Sequence, residues 1–526
     1  METHARVCKG VFFYGLGFSH KRYTAKELKH SKIMAEKIYL NDIVYVSDGR
    51  IRRADIVVEG ELISQITDKE EIDQAQLIAY LDERGEETSV VLPGVIDEHV
   101  HTREPGLTHK GDLASETHAA AAGGVTSIMD MPNVTPQTTT LEALEERQAM
   151  GAAHAFVNYA FHFGATNSNA HLLPLLDATR VPAVKLFMGS STGGMLVDHG
   201  DALRAVFERS PLPIMVHCED SAIIAENMRL AKERYGDDPD VVHHAEIRSR
   251  EACIASSTLA VELARETGAR LHIAHVTTEE ELRLATRPPS PLHLCSAQRD
   301  ASHLKNGEND YQSGIDNNSL QNIPPSPFRG SGEGVCTLEA CLPHLLFTSD
   351  DYARLGTRIK CNPSVKTAAD REALREALND GRIAVVATDH APHLLAEKQG
   401  GCARAASGMP MVQFSLVAML QLADEGVLSL PRLVELMCHN PARLFAIEGR
   451  GFIREGMKAD LALVCRKPWT LTARDIVSRC AWSPLEGRSF NWRVSQTYCN
   501  GRLIYDKGAF ANDNEHACAL TFSAER

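Results

Sequence analysis

The strongest constraint on the fold is a regular alternation of short apolar segments with helical patterns through the middle of the chain. The sequence predicts eight buried strands: Gly94–Asp97, Val125–Asp130, Phe156–Phe163, Ala183–Phe187, Pro213–His217, Leu271–His275, Thr337–Leu342 and Ile383–Thr388. Helical patterns lie between most of them, at Leu141–Met150, Ala222–Arg234, Arg250–Thr267 and Asp370–Asn379. Such alternation is typical of a parallel sheet, and eight units predict a closed (β/α)8 barrel, a TIM-like barrel, over residues 92–445. An open doubly wound sheet is the alternative, although no GxGxxG motif follows the first strand to support a dinucleotide site.

The two ends of the chain carry short strand patterns separated by turn residues. Signals such as Ser47-Asp48-Gly49 divide the strands before the barrel, and Asn500-Gly501 marks a tight turn after it. Residues 34–91 and 446–510 are therefore predicted to form one small β domain. The fold class predicted for the whole chain is α/β, a barrel with a small β domain formed from both chain ends.

Three segments fall outside these two parts. Residues 1–33 are predicted to be a disordered extension, unless translation starts at Met34. Residues 288–335 are rich in Pro, Ser, Asn and Gly, and the tetrapeptide PPSP occurs twice within them. A stretch of this kind predicts a disordered insertion, here on the face of the barrel away from the chemistry. Residues 511–526 form a C-terminal tail.

Composition narrows the class of protein. The chain has 526 residues and a net charge of −14, which argues against a nucleic-acid binder. Its 13 cysteines include no CxxC pair, so they predict reduced thiols in a cytoplasmic protein. No apolar run approaches the roughly 18 residues that would span a membrane. The predicted partner is a small-molecule substrate, and a homo-oligomer is compatible with the sequence.

Polar residues gather where the first predicted strand ends. The segment Val91–Gly106 reads VLPGVIDEHVHTREPG, with an apolar run from Val91 to Ile96 that predicts one buried strand. Residues two apart on a strand share a face, so His99 and His101 would project together as half of a metal site. Arg103 would continue on that face, where it could bind an anion. A pair of packed structural histidines is the alternative.

Other predicted strands carry or end in residues of the same types. The fourth carries Lys185, the fifth ends in His217, the sixth ends in His275 and the eighth runs into Asp389. A barrel brings these strand ends to one mouth, where four imidazoles and an aspartate are hard to explain by packing alone. An ammonium cannot bind a metal. If Lys185 takes up carbon dioxide, however, its carbamate can bridge two divalent ions, which together activate a hydroxide. A lysine paired with a neighbouring carboxylate is the alternative.

Six segments together resemble a dihydroorotase of the amidohydrolase superfamily: HVHTREPG, MDMPN, KLFMGSSTGGML, VHCED, IKCNPSVKT and ATDHAPH. The resemblance runs from about Met34 to Gly508, interrupted by the insertion. It implies a barrel with a small β domain, a site for two metals, usually zinc, and reversible closure of N-carbamoyl-L-aspartate to L-dihydroorotate in pyrimidine biosynthesis.

The resemblance also implies roles for individual residues. His99, His101, Lys185, His217, His275 and Asp389 match the metal ligands, with Lys185 carbamylated at the bridge and Asp389 also acting as the acid/base. Arg103, Asn133, Asn362 and His393 match positions that hold the substrate, and Gly408 could close the pocket with backbone groups. There are two alternatives. One is a hydantoinase, dihydropyrimidinase or allantoinase, although such enzymes generally lack an arginine at the position of Arg103. The other is a non-catalytic structural paralogue.

Overall fold

The architecture is that of a computed structural model, which describes residues 37–86, 88–189, 195–285 and 336–524. The strands of these ranges are β1 (Lys37–Ser47), β2 (Arg50–Glu59), β3 (Leu62–Ile72), β4 (Ser89–Pro93), β5 (Val95–Val100), β6 (Val125–Asp130), β7 (Asn158–Phe161), β8 (Phe163–Gly164), β9 (Val184–Phe187), β10 (Ile214–His217), β11 (Leu271–Ile273), β12 (Cys336–Cys341), β13 (Ile383–Ala387), β14 (Leu461–Thr470), β15 (Ser489–Cys499), β16 (Arg502–Asp506) and β17 (Ala509–Phe510). The α-helices are α1 (Gln74–Arg84), α2 (Leu113–Ala122), α3 (Leu141–His154), α4 (Gly200–Arg209), α5 (Ser221–Tyr235), α6 (His244–Ile247), α7 (Arg250–Thr267), α8 (Leu342–Leu346), α9 (Tyr352–Leu355), α10 (Ala368–Asp380), α11 (Ser415–Asp424), α12 (Leu430–Val434) and α13 (Asn440–Leu444).

Nine of these strands build the predicted barrel. β5, β6 and β7 form one parallel sheet, and β8 to β13 form another in which every pairing is parallel. β7 and β8 are one strand interrupted at His162, which joins the two sheets. The ring closes where Val100 pairs with His390, and the His101 N–H donates to the His390 carbonyl at 2.7 Å. The eight-stranded closed barrel is therefore confirmed, and the open sheet is excluded.

The predicted β structure from both chain ends is a single eight-stranded sheet. Its strand order is β17-β16-β15-β14-β4-β1-β2-β3, so β4 joins the N-terminal strands to the C-terminal ones. β4 pairs with β1 in parallel and with β14 antiparallel. The contribution of both chain ends agrees with the predicted fold class, and the domain boundaries at residues 91/92 and 445/446 remain predictions.

The single strand predicted from Val91 to Ile96 is wrong, because the chain changes sheets at Gly94. The apolar run from Val91 to Ile96 is two strands, because the chain leaves the outer sheet after β4 and enters the barrel as β5. The Gly94 N–H donates to the Asp460 carbonyl at 2.8 Å, and the next N–H, that of Val95, donates to the Gly124 carbonyl at 3.0 Å. Apolar patterning could not separate the two strands, since both are buried.

Adding one methyl group at this junction is expected to be costly. A Cβ at Gly94 would lie 2.1 Å from Thr126 Oγ1 and 2.4 Å from its Cγ2, and this β-branched side chain is stiff. We expect Gly94→Ala to lower the free energy of unfolding by about 1–3 kcal/mol, measured by urea denaturation. Gly200→Ala is the matched control, because a Cβ there meets nothing within 4 Å. Equal losses in the two variants would contradict this account of the junction.

The C-terminal segment packs along the third barrel strand. The Tyr159 N–H donates to the Cys518 carbonyl, and the Leu520 N–H donates to the Tyr159 carbonyl at 2.8 Å. The side chains of Leu520 and Phe522 are buried in a cluster with barrel residues. Much of the segment predicted as a tail therefore contributes to the core.

Other expectations concern the rest of the chain. The predicted extension at residues 1–33 and the predicted insertion at residues 288–335 lie outside the described residues. All eleven cysteines in the described ranges are free thiols, and ten of them are buried. Within those ranges, no helix combines the length and the apolar character needed to cross a membrane.

Candidate metal and substrate site

The six predicted metal ligands lie on five strands of the barrel, and five of the six lie at or near a carboxyl end. His99 lies near the end of β5 and His101 directly follows it, while His217 ends β10. His275 comes two residues after β11, and Asp389 comes two residues after β13. Each of the four imidazoles is at most 8 % exposed. The barrel thus places these five side chains at one mouth, as parallel strands require.

Their side-chain nitrogens and oxygens converge in two groups. Asp389 Oδ1 lies 3.3 Å from His99 Nε2 and 3.1 Å from His101 Nε2, and these three side chains form a cluster that could hold a metal ion. His217 Nδ1 lies 3.0 Å from His275 Nε2. The ring centroids of His99 and His275 are 5.3 Å apart, so the two groups are adjacent.

The outer nitrogens of three imidazoles are held by hydrogen bonds. His99 Nδ1 lies 2.9 Å from Glu339 Oε1, and His217 Nε2 lies 2.9 Å from Glu219 Oε2. His101 Nδ1 lies 2.8 Å from Asn133 Oδ1. Because each acceptor fixes a proton on the outer nitrogen, the inner nitrogen of each ring presents a lone pair toward the cluster. This is the arrangement that metal-binding histidines adopt.

Burial favours the neutral form of His99, His101 and His275. The pKa of His99 lies well below its usual value because burial disfavours the charged ring, and the charge of Lys185 adds to the effect. Burial also lowers the pKa of His101 and, together with His217 and Lys185, that of His275. Neutral imidazoles are the form that binds a metal. The donor set therefore fits divalent cations.

Lys185 lies in β9 with its side chain inside the barrel. It is fully buried, its Nζ has no hydrogen-bond partner among the described residues, and it lies 5.3 Å from the ring centroid of Phe187. Burial lowers the pKa of the amine, although the charges of Glu339 and Asp389 act in the opposite direction. Within the described ranges, no carboxylate forms an ion pair with it, so the ion-pair alternative has no support.

Asp389 is ionised despite its burial. Burial raises the pKa of its carboxyl, but the neighbouring His99, His101 and Lys185 outweigh that effect and hold the pKa at about 2. The backbone there has a φ of 46°, and His275 and Arg103 also have positive φ values, of 38° and 74°. Three non-glycine residues in this sparsely populated region indicate strain concentrated at one site.

A small pocket opens beside the cluster. Its lining is His99, His101, Arg103, Asn133, Phe187, His217, His275, Asn362, Asp389, Ala391, Ser407 and Gly408. Of the predicted substrate residues, Arg103, Asn133, Asn362 and Gly408 line this pocket. Arg103 reaches it from a turn after β5, where its left-handed backbone replaces the strand alternation expected from the sequence.

His393 stands behind Arg103 instead of lining the pocket. The Arg103 guanidinium donates from Nη2 to His393 Nε2 at 3.1 Å and from Nε to the Pro392 carbonyl at 3.1 Å. Lys110 Nζ lies 3.2 Å from the other ring nitrogen of His393. His393 therefore orients Arg103, which is itself only 4 % exposed.

Two glutamates that the sequence did not point to contact the histidines of the site. Glu339, in the middle of β12, contacts His99 and also accepts the backbone N–H of His275 at 2.7 Å. Glu219 lies two residues after His217 and also binds Arg248. For Glu339, the sequence signal is a single glutamate in the apolar strand CTLEAC, since a charged side chain in a buried strand is costly, as it is for Lys185. Carboxylates that orient metal-binding imidazoles have this kind of position.

The comparison with protein families defines the class. The amidohydrolase family profile matches residues 90–504, which include every residue of the site described above. The chain belongs to the amidohydrolase family. Among curated proteins, a dihydroorotase from Halobacterium salinarum is 34% identical over 469 residues, covering 88% of this chain and 95% of the relative. A dihydroorotase from Methanosarcina mazei is 29% identical, covering 85% of this chain and 89% of the relative.

Solved structures resemble the fold. An L-hydantoinase (dihydropyrimidinase) from Arthrobacter aurescens matches with a TM-score of 0.74 and 25% identity, covering 92% of this chain and 99% of that chain. A dihydropyrimidinase from Brevibacillus agri matches with a TM-score of 0.73 and 19% identity, covering 93% of this chain and 100% of that chain. The second likeness, at this identity, concerns the fold alone.

Proposed function

We propose that this cyclic amidohydrolase is a dihydroorotase, which interconverts N-carbamoyl-L-aspartate and L-dihydroorotate. The observation that carries the proposal is the buried guanidinium of Arg103 beside the histidine–aspartate cluster. Dihydroorotate bears a ring carboxylate, and a planar guanidinium matches a carboxylate in geometry and charge. The dihydroorotases among the sequence relatives support the same activity.

The proposed cofactors are two divalent metal ions, with Zn²⁺ as the predicted identity. His99 and His101 would hold one ion, His217 and His275 the other, and Asp389 would contribute an oxygen ligand. When bound, such ions supply Lewis acidity and a hydroxide at neutral pH. The neutral imidazoles and the ordered outer hydrogen bonds described above support this assignment.

Lys185 is proposed to bridge the ions as a carbamate. Its buried amine, with a lowered pKa and no hydrogen-bond partner among the described residues, is suited to attack carbon dioxide. The amine nitrogen forms a bond to the carbon, one proton is released, and the product carries a negative charge on two oxygens. A buried bridging anion would satisfy both the lysine side chain and the cations around it.

The other residues of the pocket divide the remaining tasks. Asp389, ionised at neutral pH, would accept a proton from the attacking water and return it to the ring nitrogen as the amide bond breaks. Asn362 Oδ1 is buried without a hydrogen-bond partner among the described residues, so it is placed to accept a substrate N–H. Asn133, whose Oδ1 lies 2.8 Å from His101 Nδ1, would both orient that imidazole and line the substrate pocket. Gly408 lines the opposite wall with backbone groups.

Arg103→Met tests the proposed substrate. We expect the KM for dihydroorotate to rise by about 100-fold, because the substrate carboxylate loses its charged partner. Steady-state assays with dihydroorotate and with dihydrouracil, which lacks the carboxylate, measure this discrimination. The exposed Arg404 provides the control variant Arg404→Met. Wild-type turnover of dihydrouracil or allantoin without turnover of dihydroorotate would contradict the proposal and favour a hydantoinase or allantoinase.

The non-catalytic alternative is disfavoured by the site itself. All six ligand positions carry residues that can bind a metal directly or, for Lys185, after carbamylation. A purified protein without bound metal and without activity would instead support the structural paralogue.

The buried free thiols support the predicted cytoplasmic location, because thiols stay reduced in that compartment.

A further inference from the structure

One wall of the substrate pocket is a loop with no regular structure. Residues 399–410 follow a short turn of helix that ends at Lys398, and Ser407 and Gly408 of this loop line the pocket. Gly408 has a φ of 129°, and a Cβ there would lie 2.8 Å from the Ala391 carbonyl oxygen. The backbone of this wall is therefore held tightly against the barrel, and its position determines the shape of the pocket.

A buried ammonium group holds this loop. Lys398 is only 1 % exposed, and its Nζ donates to the carbonyl groups of Lys360 at 2.9 Å, Ala406 at 2.7 Å and Gly408 at 2.7 Å. An ammonium has three N–H donors, so these three carbonyls use all of them. Among the described residues, no carboxylate forms an ion pair with Lys398, so backbone dipoles alone compensate its charge.

The three carbonyls come from two walls of the pocket. Lys360 lies two residues before Asn362, and its carbonyl also accepts the Gly408 N–H at 2.8 Å. The Lys398 side chain thus ties the segment that carries Asn362 to the segment that carries Gly408. A neutral amine would keep only two donors and would turn a lone pair toward one carbonyl, which is repulsive.

We propose that Lys398 is a positioning residue for the substrate, whose ammonium group fixes residues 399–410 against Asn362 and so sets the width of the pocket. The link to substrate binding rests on the proposed function, whereas the restraint on the loop does not. This ammonium does not touch the metal-ligand cluster, so it controls how the substrate is held and leaves the reacting groups in place.

The charge of this group is sensitive to pH. Burial lowers the pKa of Lys398 to about 7, and the nearby charges of Lys360 and Arg103 act in the same direction while Cys361 opposes them. Lys360, which donates to the Cys402 carbonyl at 2.8 Å, has a pKa lowered by burial to about 8. The ammonium of Lys398 is present below its pKa and lost as the pH rises through it. The loop is therefore expected to loosen, and the KM to rise, on the alkaline side of neutrality.

Two variants and one control test the proposal in the full-length metal-loaded enzyme. We expect Lys398→Met to raise the KM for dihydroorotate by about 30-fold with kcat within about threefold of wild type, because the reacting groups stay in place. Amide hydrogen exchange in peptides covering residues 399–410 should accelerate by about tenfold or more, since the loop opens locally. Lys366→Met is the matched control, because this buried lysine donates to Ser364 and, within the described part of the chain, not to the loop.

The conservative variant separates charge from bulk. Lys398→Arg keeps a cation at every accessible pH. It should restore slow exchange in the loop and remove the rise of KM near neutral pH that the wild type shows. If Lys398→Met did not fold, the wild-type pH profile and Lys398→Arg would still decide the matter.

Several results would overturn the proposal. They are unchanged exchange in residues 399–410, an equal acceleration in Lys366→Met, a fall in kcat with no change in KM, and a wild-type KM that does not vary with pH. Failure of the wild type to turn over dihydroorotate would refute the proposed function instead. In that case accelerated loop exchange in Lys398→Met would still support the restraint.

Discussion

Replacing Lys185 with alanine is expected to remove bound divalent metal and to lower kcat by at least about 10⁴-fold, since both the bridging ligand and the activated hydroxide would be lost. The amine is fully buried, and no hydrogen-bond partner for it is found in the described ranges. Metal content by mass spectrometry and turnover of dihydroorotate measure the two effects together.

Further variants separate the carbamate from the lysine itself. Lys185→Glu supplies a carboxylate without carbon dioxide and should recover part of the metal content. Removal of metal from the wild type should make reactivation depend on both metal and bicarbonate, whereas Lys185→Glu should need metal alone. Lys366→Met provides a control for the loss of a buried lysine. Full activity of Lys185→Ala would refute the bridging role.

Replacing Asp389 with asparagine is expected to lower kcat by about 10³–10⁴-fold, because the variant cannot carry a proton between water and the ring nitrogen. The pKa of this carboxyl is lowered to about 2 by its neighbours, so the wild-type group is ionised throughout the neutral range. The rate should therefore fall by a similar factor at about pH 6 and about pH 9. Steady-state rates at both pH values, with metal content measured in parallel, test this prediction.

Metal content distinguishes two roles of Asp389. An asparagine oxygen can still bind a metal weakly, so retention of metal with a large loss of rate would support the acid/base role. Loss of metal in proportion to the loss of rate would indicate that the residue acts only as a metal ligand.

The lowered pKa of Asp389 also affects stability. The ionised carboxylate stabilises the fold above its usual pKa of 3.8, and this contribution is lost as the pH falls through about 2.

The barrel could be predicted because each of its strands is buried on both faces. A strand such as Val125–Asp130, surrounded by sheet neighbours and helices, is buried along its whole length, and its sequence is short and rich in apolar and β-branched residues. The predicted bounds of this strand and of the helix Arg250–Thr267 agree with the structure. Local patterns were sufficient here because burial and length alone separate strands from helices.

Other elements could not be predicted from local patterns. β15, the long strand Ser489–Cys499, alternates buried and partly exposed residues irregularly and includes polar side chains. Its position depends on pairing with β14 and β16. The division at Gly94 likewise depends on Thr126, a residue distant in sequence, which leaves no room for a side chain there.

The sequence by itself determined the chemistry at the strand ends, since histidine, lysine, aspartate and arginine are costly to bury and therefore stand out in apolar segments. Only the tertiary structure decided how these groups are oriented. Glu339 and Glu219 hydrogen-bond to the outer nitrogens of His99 and His217, so that the inner nitrogens face the cluster. His393 orients the Arg103 guanidinium, and Lys398 holds the loop that carries Gly408. The physical reason is that hydrogen bonds act over about 3 Å between atoms of residues far apart in the chain, so only the closed barrel brings the partners together.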